Sequence, residues 1–167
     1  MGMNSTDFPT PWIALSPSNL ETGCMTMISE SHKQEIRKHE DTFEEHNILT
    51  RGQVINEFDE SKGVDLILKP GEMSIHHGAI IHGSKPNKSQ QRRIGFSLQS
   101  YMPPAIEQVV GKNIWTHVRG KQRQDRDGLS LDRPKYNMDP VTISQRKIAN
   151  ENLSDILYKG AKSKRKY

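Results

Sequence analysis

With 167 residues, 32% of them hydrophobic, and a mean hydropathy of −0.79, the chain has room for one modest, loop-rich domain and no apolar run long enough for a membrane span. The net charge of +4 becomes −1 once residues 159–167 are set aside, because Lys159, Lys162, Lys164, Arg165 and Lys166 crowd that tail; with no nucleic-acid-binding signature beside it, a solvated end is the simpler reading. Cys24 is the one cysteine, so no internal disulfide forms, and without a signal-peptide layout at the start the reading is a soluble, cytoplasmic protein with no nucleic-acid or membrane partner.

In chain order, short strands come first. Trp12-Ile13-Ala14-Leu15 is a brief apolar run between prolines, and Gly23-Cys24-Met25-Thr26-Met27-Ile28 follows the turn signal Glu21-Thr22-Gly23. Residues 31–60 are charged and poor in apolar clusters, and read as a long, partly helical excursion over one end of the domain. Strands are expected again over 64–68, 73–77, 80–84 and 92–101, with the turn Pro70-Gly71 and a polar loop over 85–91 between them. In the last of these runs Ile94, Phe96 and Leu98 alternate with Arg93, Gly95, Ser97 and Gln99, giving one oily and one polar face. Many short strands with Gly and Pro turns point to a sandwich or barrel. After an irregular stretch over 119–137, Asp139 can cap a helix that Pro140 opens, with Ile143, Ile148, Leu153, Ile156 and Leu157 as its apolar stripe and Gly160 as its stop. The chain therefore reads as a single domain, 1–167, with a core over 8–104, a helical extension over 139–158 and a basic tail over 159–167.

The chemistry concentrates at His76, His77 and His82, three histidines within seven residues of strand-like context. Neutral imidazole is the commonest metal donor, so the cluster points to a metal; core histidines bonded to their neighbours are the alternative. Arg93 adds to the first reading. It heads a strand face whose other members, Gly95 and Ser97, are small, so its planar fork points into a roomy interior suited to a carboxylate.

These segments, with Pro11-Trp12-Ile13-Ala14-Leu15, Glu21-Thr22-Gly23-Cys24-Met25, Ser31-His32-Lys33, Lys69-Pro70-Gly71-Glu72-Met73, Ile81-His82-Gly83-Ser84-Lys85-Pro86-Asn87-Lys88-Ser89 and Arg92-Arg93-Ile94-Gly95-Phe96-Ser97, resemble the phytanoyl-CoA dioxygenase family in order along the chain. The resemblance implies a mainly β, double-stranded β-helix (a jelly-roll, cupin-like) with flanking helices, and an iron(II)- and 2-oxoglutarate-dependent oxygenase of hydroxylase type acting on a small organic substrate. It implies His82 as the distal iron ligand and Arg93 as the grip on the far carboxylate of 2-oxoglutarate. Ser84 and Trp12 resemble positions lining that co-substrate pocket.

Two departures shape the expectation. The family's iron site adds a His-x-Asp pair upstream of the Trp strand, and the eleven residues before Trp12 hold no histidine, so the jelly-roll is expected to be incomplete at its N-terminus. His39-Glu40-Asp41 satisfies the pattern literally but lies in the charged excursion, and is expected to be a decoy. Ser29-Glu30 also stands where the family has Pro-Gly. The alternatives to an active hydroxylase are an inactive fragment or non-catalytic binding module, a halogenase of the same fold, and a metal-cupin built on His76, His77 and His82. The last is disfavoured because adjacent strand residues face opposite ways.

Overall fold

The computed structural model describes residues 2–45, 47, 49–99, 101–122 and 125–163. Its strands in chain order are β1 (Pro9–Ala14), β2 (Met25–Ile28), β3 (Glu40–Asp41), β4 (Gln53–Val54), β5 (Gly63–Asp65), β6 (Met73–His77), β7 (His82–Ser84), β8 (Gly95–Ser97), β9 (Ile114–Trp115) and β10 (Leu129–Ser130), and one helix, α1 (Pro140–Leu157), follows. The protein is mainly β with antiparallel pairing throughout except between β9 and β10. Where flanking helices were expected, α1 is the single α-helix among the described residues. No helix there is long and apolar enough to cross a membrane. Contacts divide the chain into two units interleaved in sequence: Thr6–Lys38 with Ile55–Pro103, and Met1–Ser5 with His39–Val54 and Pro104–Tyr167.

The first unit holds two three-stranded sheets, β6-β1-β8 and β5-β2-β7. Two prolines in the central strand β1 decide how far its pairing runs. Even-numbered residues of β1 bond toward β6, as Gly78 N–H donates to Phe8 O and Ala14 N–H to Glu72 O; odd-numbered residues bond toward β8, where Leu98 N–H donates to Pro11 O. Pro9 and Pro11 thus direct their missing N–H groups at β8 and leave the β6 ladder whole. The β1–β6 register accordingly spans Pro9↔His77 to Ile13↔Met73, whereas β1–β8 pairs only Trp12, Ile13 and Ala14. At the other end the Ser16 hydroxyl takes over, accepting from Ile94 N–H at 2.7 Å and donating to Arg92 O at 2.8 Å. The strand expected over 92–101 is therefore only Gly95–Ser97, and those over 64–68 and 80–84 shorten to Gly63–Asp65 and His82–Ser84.

In the second sheet β2 is central, with Met27 opposite both Val64 and His82. Its entry turn is locked by reciprocal bonds, Asn19 N–H to Thr22 Oγ1 at 2.9 Å and Thr22 N–H to Asn19 Oδ1 at 3.0 Å, which satisfy a threonine only 2% exposed. Cys24 follows, also buried, and burial first and the Asp65 carboxylate second push its thiol above the ordinary value, against the opposing pull of Arg93 and Lys85. An expected consequence is that the folded protein resists Ellman's reagent at pH 8 while the urea-unfolded chain reacts at once. Equal rates in the two states would mean that Cys24 is open to solvent.

In the other unit, the excursion contributes the β3–β4 hairpin, and Gly52 sits at its neck with φ 60°. The partly helical expectation for residues 31–60 reduces to two single-turn 3-10 segments, Ser31–Lys33 and Glu60–Lys62, both in the first unit. Helix α1 begins as its sequence dictates: Asp139 accepts from Val141 N–H at 3.0 Å, and Pro140 occupies the first turn, where no N–H is needed. Asn152, in the C-terminal half of α1, bonds both Lys112 N–H and Lys112 O through its side-chain amide, at 2.8 and 2.9 Å.

Candidate functional site

Strand alternation places Thr10, Trp12 and Ala14 on one face of β1, and register adds Ser74 and His76 from β6 and Gly95 and Ser97 from β8. Thr10 and Ala14 are buried and Ser74 and His76 half-buried, so this mostly polar face is the inner one over β1 and β6, and it opens to solvent at Gly95 and Ser97; Met73, Ile75 and Phe96 stand exposed on the other. Arg93, two residues before Gly95, joins the inner face: its guanidinium carbon lies 5.9 Å from the centre of the Trp12 ring. The Ser16 bonds to the backbone on either side of Arg93 fix where that side chain leaves the chain. Nothing in the sequence around Ser16 marks this role, because it depends on a partner 78 residues away.

His82 and Ser84 lie on the face of β7 that register shares with Met27 and Met25. His82 meets the first sheet there, its ring centre 5.7 Å from that of His76. The backbone before it is held from two sides. Ser31 Oγ accepts from Ile81 N–H at 2.8 Å, and Ile28 N–H donates to Ile81 O at 2.9 Å. The Ser31-His32-Lys33 segment thus serves the His82 strand through its serine. The loop after β7 is tied to the turn before β2, with Lys88 N–H bonded to Glu21 O at 2.9 Å. Two motifs far apart in sequence are in this way one structural piece.

Hydrogen bonding separates histidines that can donate a lone pair from those that cannot. His82 Nδ1 lies 2.9 Å from Ile80 O, and a carbonyl oxygen only accepts, so the proton sits on Nδ1 and Nε2 keeps its lone pair free. His77 is the reverse case. Its Nδ1 accepts from Ala79 N–H at 3.0 Å, which puts the proton on Nε2, facing Asp7 Oδ1 at 3.7 Å. The ring of His77 also lies 5.1 Å from that of His32. His76 presents a buried Nδ1 with no hydrogen-bond partner, and burial first, then neighbouring His82, holds its pKa below the usual histidine value.

The His39-Glu40-Asp41 pattern falls on and before β3, in the unit that does not contain His82. Arg51 takes up the Asp41 carboxylate, its Nε donating at 2.9 Å and its terminal nitrogen closing the ion pair. Among the described residues no three His, Cys, Asp or Glu side chains are grouped to hold a metal ion. His82 with its open Nε2 fits a metal as one ligand, and the Arg93 fork over Trp12 fits a carboxylate; the full ligand set is not assembled from the residues described.

The family model for phytanoyl-CoA dioxygenase (PhyH) matches residues 4–95, a stretch that includes Trp12, His82, Ser84 and Arg93. The chain belongs to the phytanoyl-CoA dioxygenase family. Curated relatives include the peroxisomal phytanoyl-CoA dioxygenase of Homo sapiens, 28% identical over 87 residues covering 52% of this chain and 26% of the human protein. The phytanoyl-CoA dioxygenase of Arabidopsis thaliana is 32% identical over 87 residues, 52% of this chain and 30% of that protein. The Bos taurus peroxisomal protein is 28% identical over 136 residues, 79% of this chain and 38% of that protein. The chain thus spans between a quarter and two fifths of the length of these relatives. Among solved structures, the non-heme monooxygenase ThoJ in its apo form superposes with a TM-score of 0.71 at 23% identity, over 93% of this chain and 56% of ThoJ. The ThoJ–Ni complex gives a TM-score of 0.63 at 22% identity, over 91% of this chain and 53% of that one. At these identities the likeness is one of fold.

Proposed function

We propose that this chain carries the distal-histidine and co-substrate part of an iron(II)- and 2-oxoglutarate-dependent oxygenase site, built on a jelly-roll pair of sheets and serving the oxidation of a small organic molecule. What supports the reading is that Arg93 lies over Trp12 on the sheet face that also carries His76, and that the His82 ring, with Nε2 free, stands 5.7 Å from the His76 ring. Iron(II) with 2-oxoglutarate supplies dioxygen activation when bound. The chain's own residues hold and orient. His82 Nε2 would hold the metal, the Arg93 fork would take the far carboxylate in a charge-assisted pair, Ser84 would offer a hydroxyl, and Trp12 would form a wall that keeps the guanidinium from swinging away.

Calorimetric titration with 2-oxoglutarate in the presence of anaerobic iron(II) or manganese(II) tests this reading. Metal-dependent binding is expected, weakened about 10- to 100-fold by Arg93→Ala, the loss of charge-assisted bonds worth roughly 1.5–3 kcal/mol. Arg93→Lys should retain the charge and recover part of the loss. No succinate is expected from the chain with iron and ascorbate. Binding that ignores Arg93 would remove the co-substrate assignment, and robust succinate release would mean that the ligand set has been misread.

A further inference from the structure

We propose that His76 and His82 together form a two-imidazole site for a late first-row divalent cation, bridging the two sheets. The inference rests on the reading above for His82 and adds a donor that the family resemblance leaves without a role. The two residues lie on strands of different sheets, β6 and β7; His76 shares the face of buried Thr10 and Ala14, and the exposed His82 shares the face of buried Met27. Their ring centres are 5.7 Å apart. With metal–nitrogen bonds of about 2.1 Å, a ring centre lies about 3.2 Å from the ion, so a tetrahedral angle puts two ring centres about 5.2 Å apart. The observed separation is within a small side-chain rotation of that value.

Donor chemistry agrees with the distance. His82 keeps its Nε2 lone pair because Nδ1 is bonded to Ile80 O at 2.9 Å. His76 has a buried ring nitrogen without a partner, a cost that ligation or a bound water would relieve. Imidazole pairs favour zinc, nickel and copper over magnesium or calcium. The other close histidine pair, His32 and His77, has ring centres only 5.1 Å apart, yet His77 is protonated on Nε2 by the bond that Ala79 N–H makes to its Nδ1. Proximity alone does not make a site; the free lone pair does. With two protein donors the ion keeps open positions, which are available to a chelating co-substrate.

The test uses the full chain and two probes, nickel(II) by calorimetry and copper(II) by electron paramagnetic resonance. Wild-type protein should bind one nickel ion, and nitrogen superhyperfine structure on copper should count two imidazoles. His76→Phe and His82→Phe should each weaken nickel more than about tenfold, since loss even of groups outside the ligand shell costs that much. His77→Phe, as the control, should leave affinity unchanged. Loss with His82→Phe but not His76→Phe, or a single nitrogen on copper, overturns the pair while leaving the proposed function standing. Unchanged nickel binding in both variants overturns both. The copper measurement needs no variant, so it decides the matter even if a substituted protein fails to fold.

Discussion

Gly95→Ala should expel the Trp12 indole from the inner face and take the Arg93 platform with it. A Cβ at residue 95 would lie 1.9 Å from Trp12 Cζ2 and 2.3 Å from Cε2, far inside contact distance. The requirement is for space rather than for backbone freedom, since Gly95 is not among the positive-φ glycines. The indole crosses diagonally from Trp12, opposite Ser97, over the neighbouring pair Ala14↔Gly95. Ala14 is fully buried, so the ring cannot sink past the strand and must swing outward. Overpacking of this kind costs about 1–3 kcal/mol. In a Trp115→Phe background the emission reports Trp12 alone, and it should shift to the red as the ring enters water. Arg93 loses the ring it lies over at 5.9 Å, so 2-oxoglutarate should weaken toward the level of Arg93→Ala. Denaturation midpoint, emission maximum and co-substrate affinity should move together. An unshifted emission spectrum in Gly95→Ala would mean that the indole does not cross that strand.

What could be read in advance divides by range. Strand β6 was legible to the residue, Met73–His77, because turn glycines bound it on both sides: Gly71 before and Gly78 after. The cap of α1 was legible because Asp139 and Pro140 act within one turn. Strand β8 was overestimated because its length is set by partners: Pro11 withholds an N–H at one end and Ser16 substitutes a hydroxyl at the other. The alternation over 92–101 was legible, but the customary assignment of its oily side to the interior would have inverted it. Phe96 is 53% exposed and Ile94 40%, while Arg93, on the opposite face, is half-buried over Trp12 and its neighbours Gly95 and Ser97 stay open to solvent. The excursion over 31–60 was opaque, since its hairpin rests on Arg51 meeting Asp41, a pairing of charges that no periodicity announces. The site shares this division. His82 and Arg93 could be placed on strands from local pattern, while the His76–His82 contact and the Ser16 bracket arise only from register between distant segments.

Gly23→Ala should be the most damaging small substitution in the first unit, because two independent demands fall on one residue. Its φ of 72° is a conformation that alanine adopts only with strain. Its Cβ would also lie 2.3 Å from Lys85 O, with Pro86 C at 3.2 Å and Asn87 N at 3.3 Å. All three are backbone atoms, so no rotamer change relieves the clash and the chain itself must move. That chain is not free to move: Lys88 N–H is bonded to Glu21 O, and Met25 pairs with Ser84 in the adjoining ladder. Strain of about 1 kcal/mol and overpacking of about 1–3 kcal/mol add to roughly 2–4 kcal/mol of lost stability. The displaced segment begins at Lys85, directly after Ser84 and three residues after His82, so metal affinity should fall along with the urea midpoint. Gly71→Ala separates the two demands, because Gly71 has φ 88° and nothing within 4 Å of its Cβ position. That variant should lose only about 1 kcal/mol, from strain, and keep its metal affinity. Equal losses in the two variants would mean that the turn before β2 and the loop after β7 do not touch, and the structural unity of those two motifs would go with it.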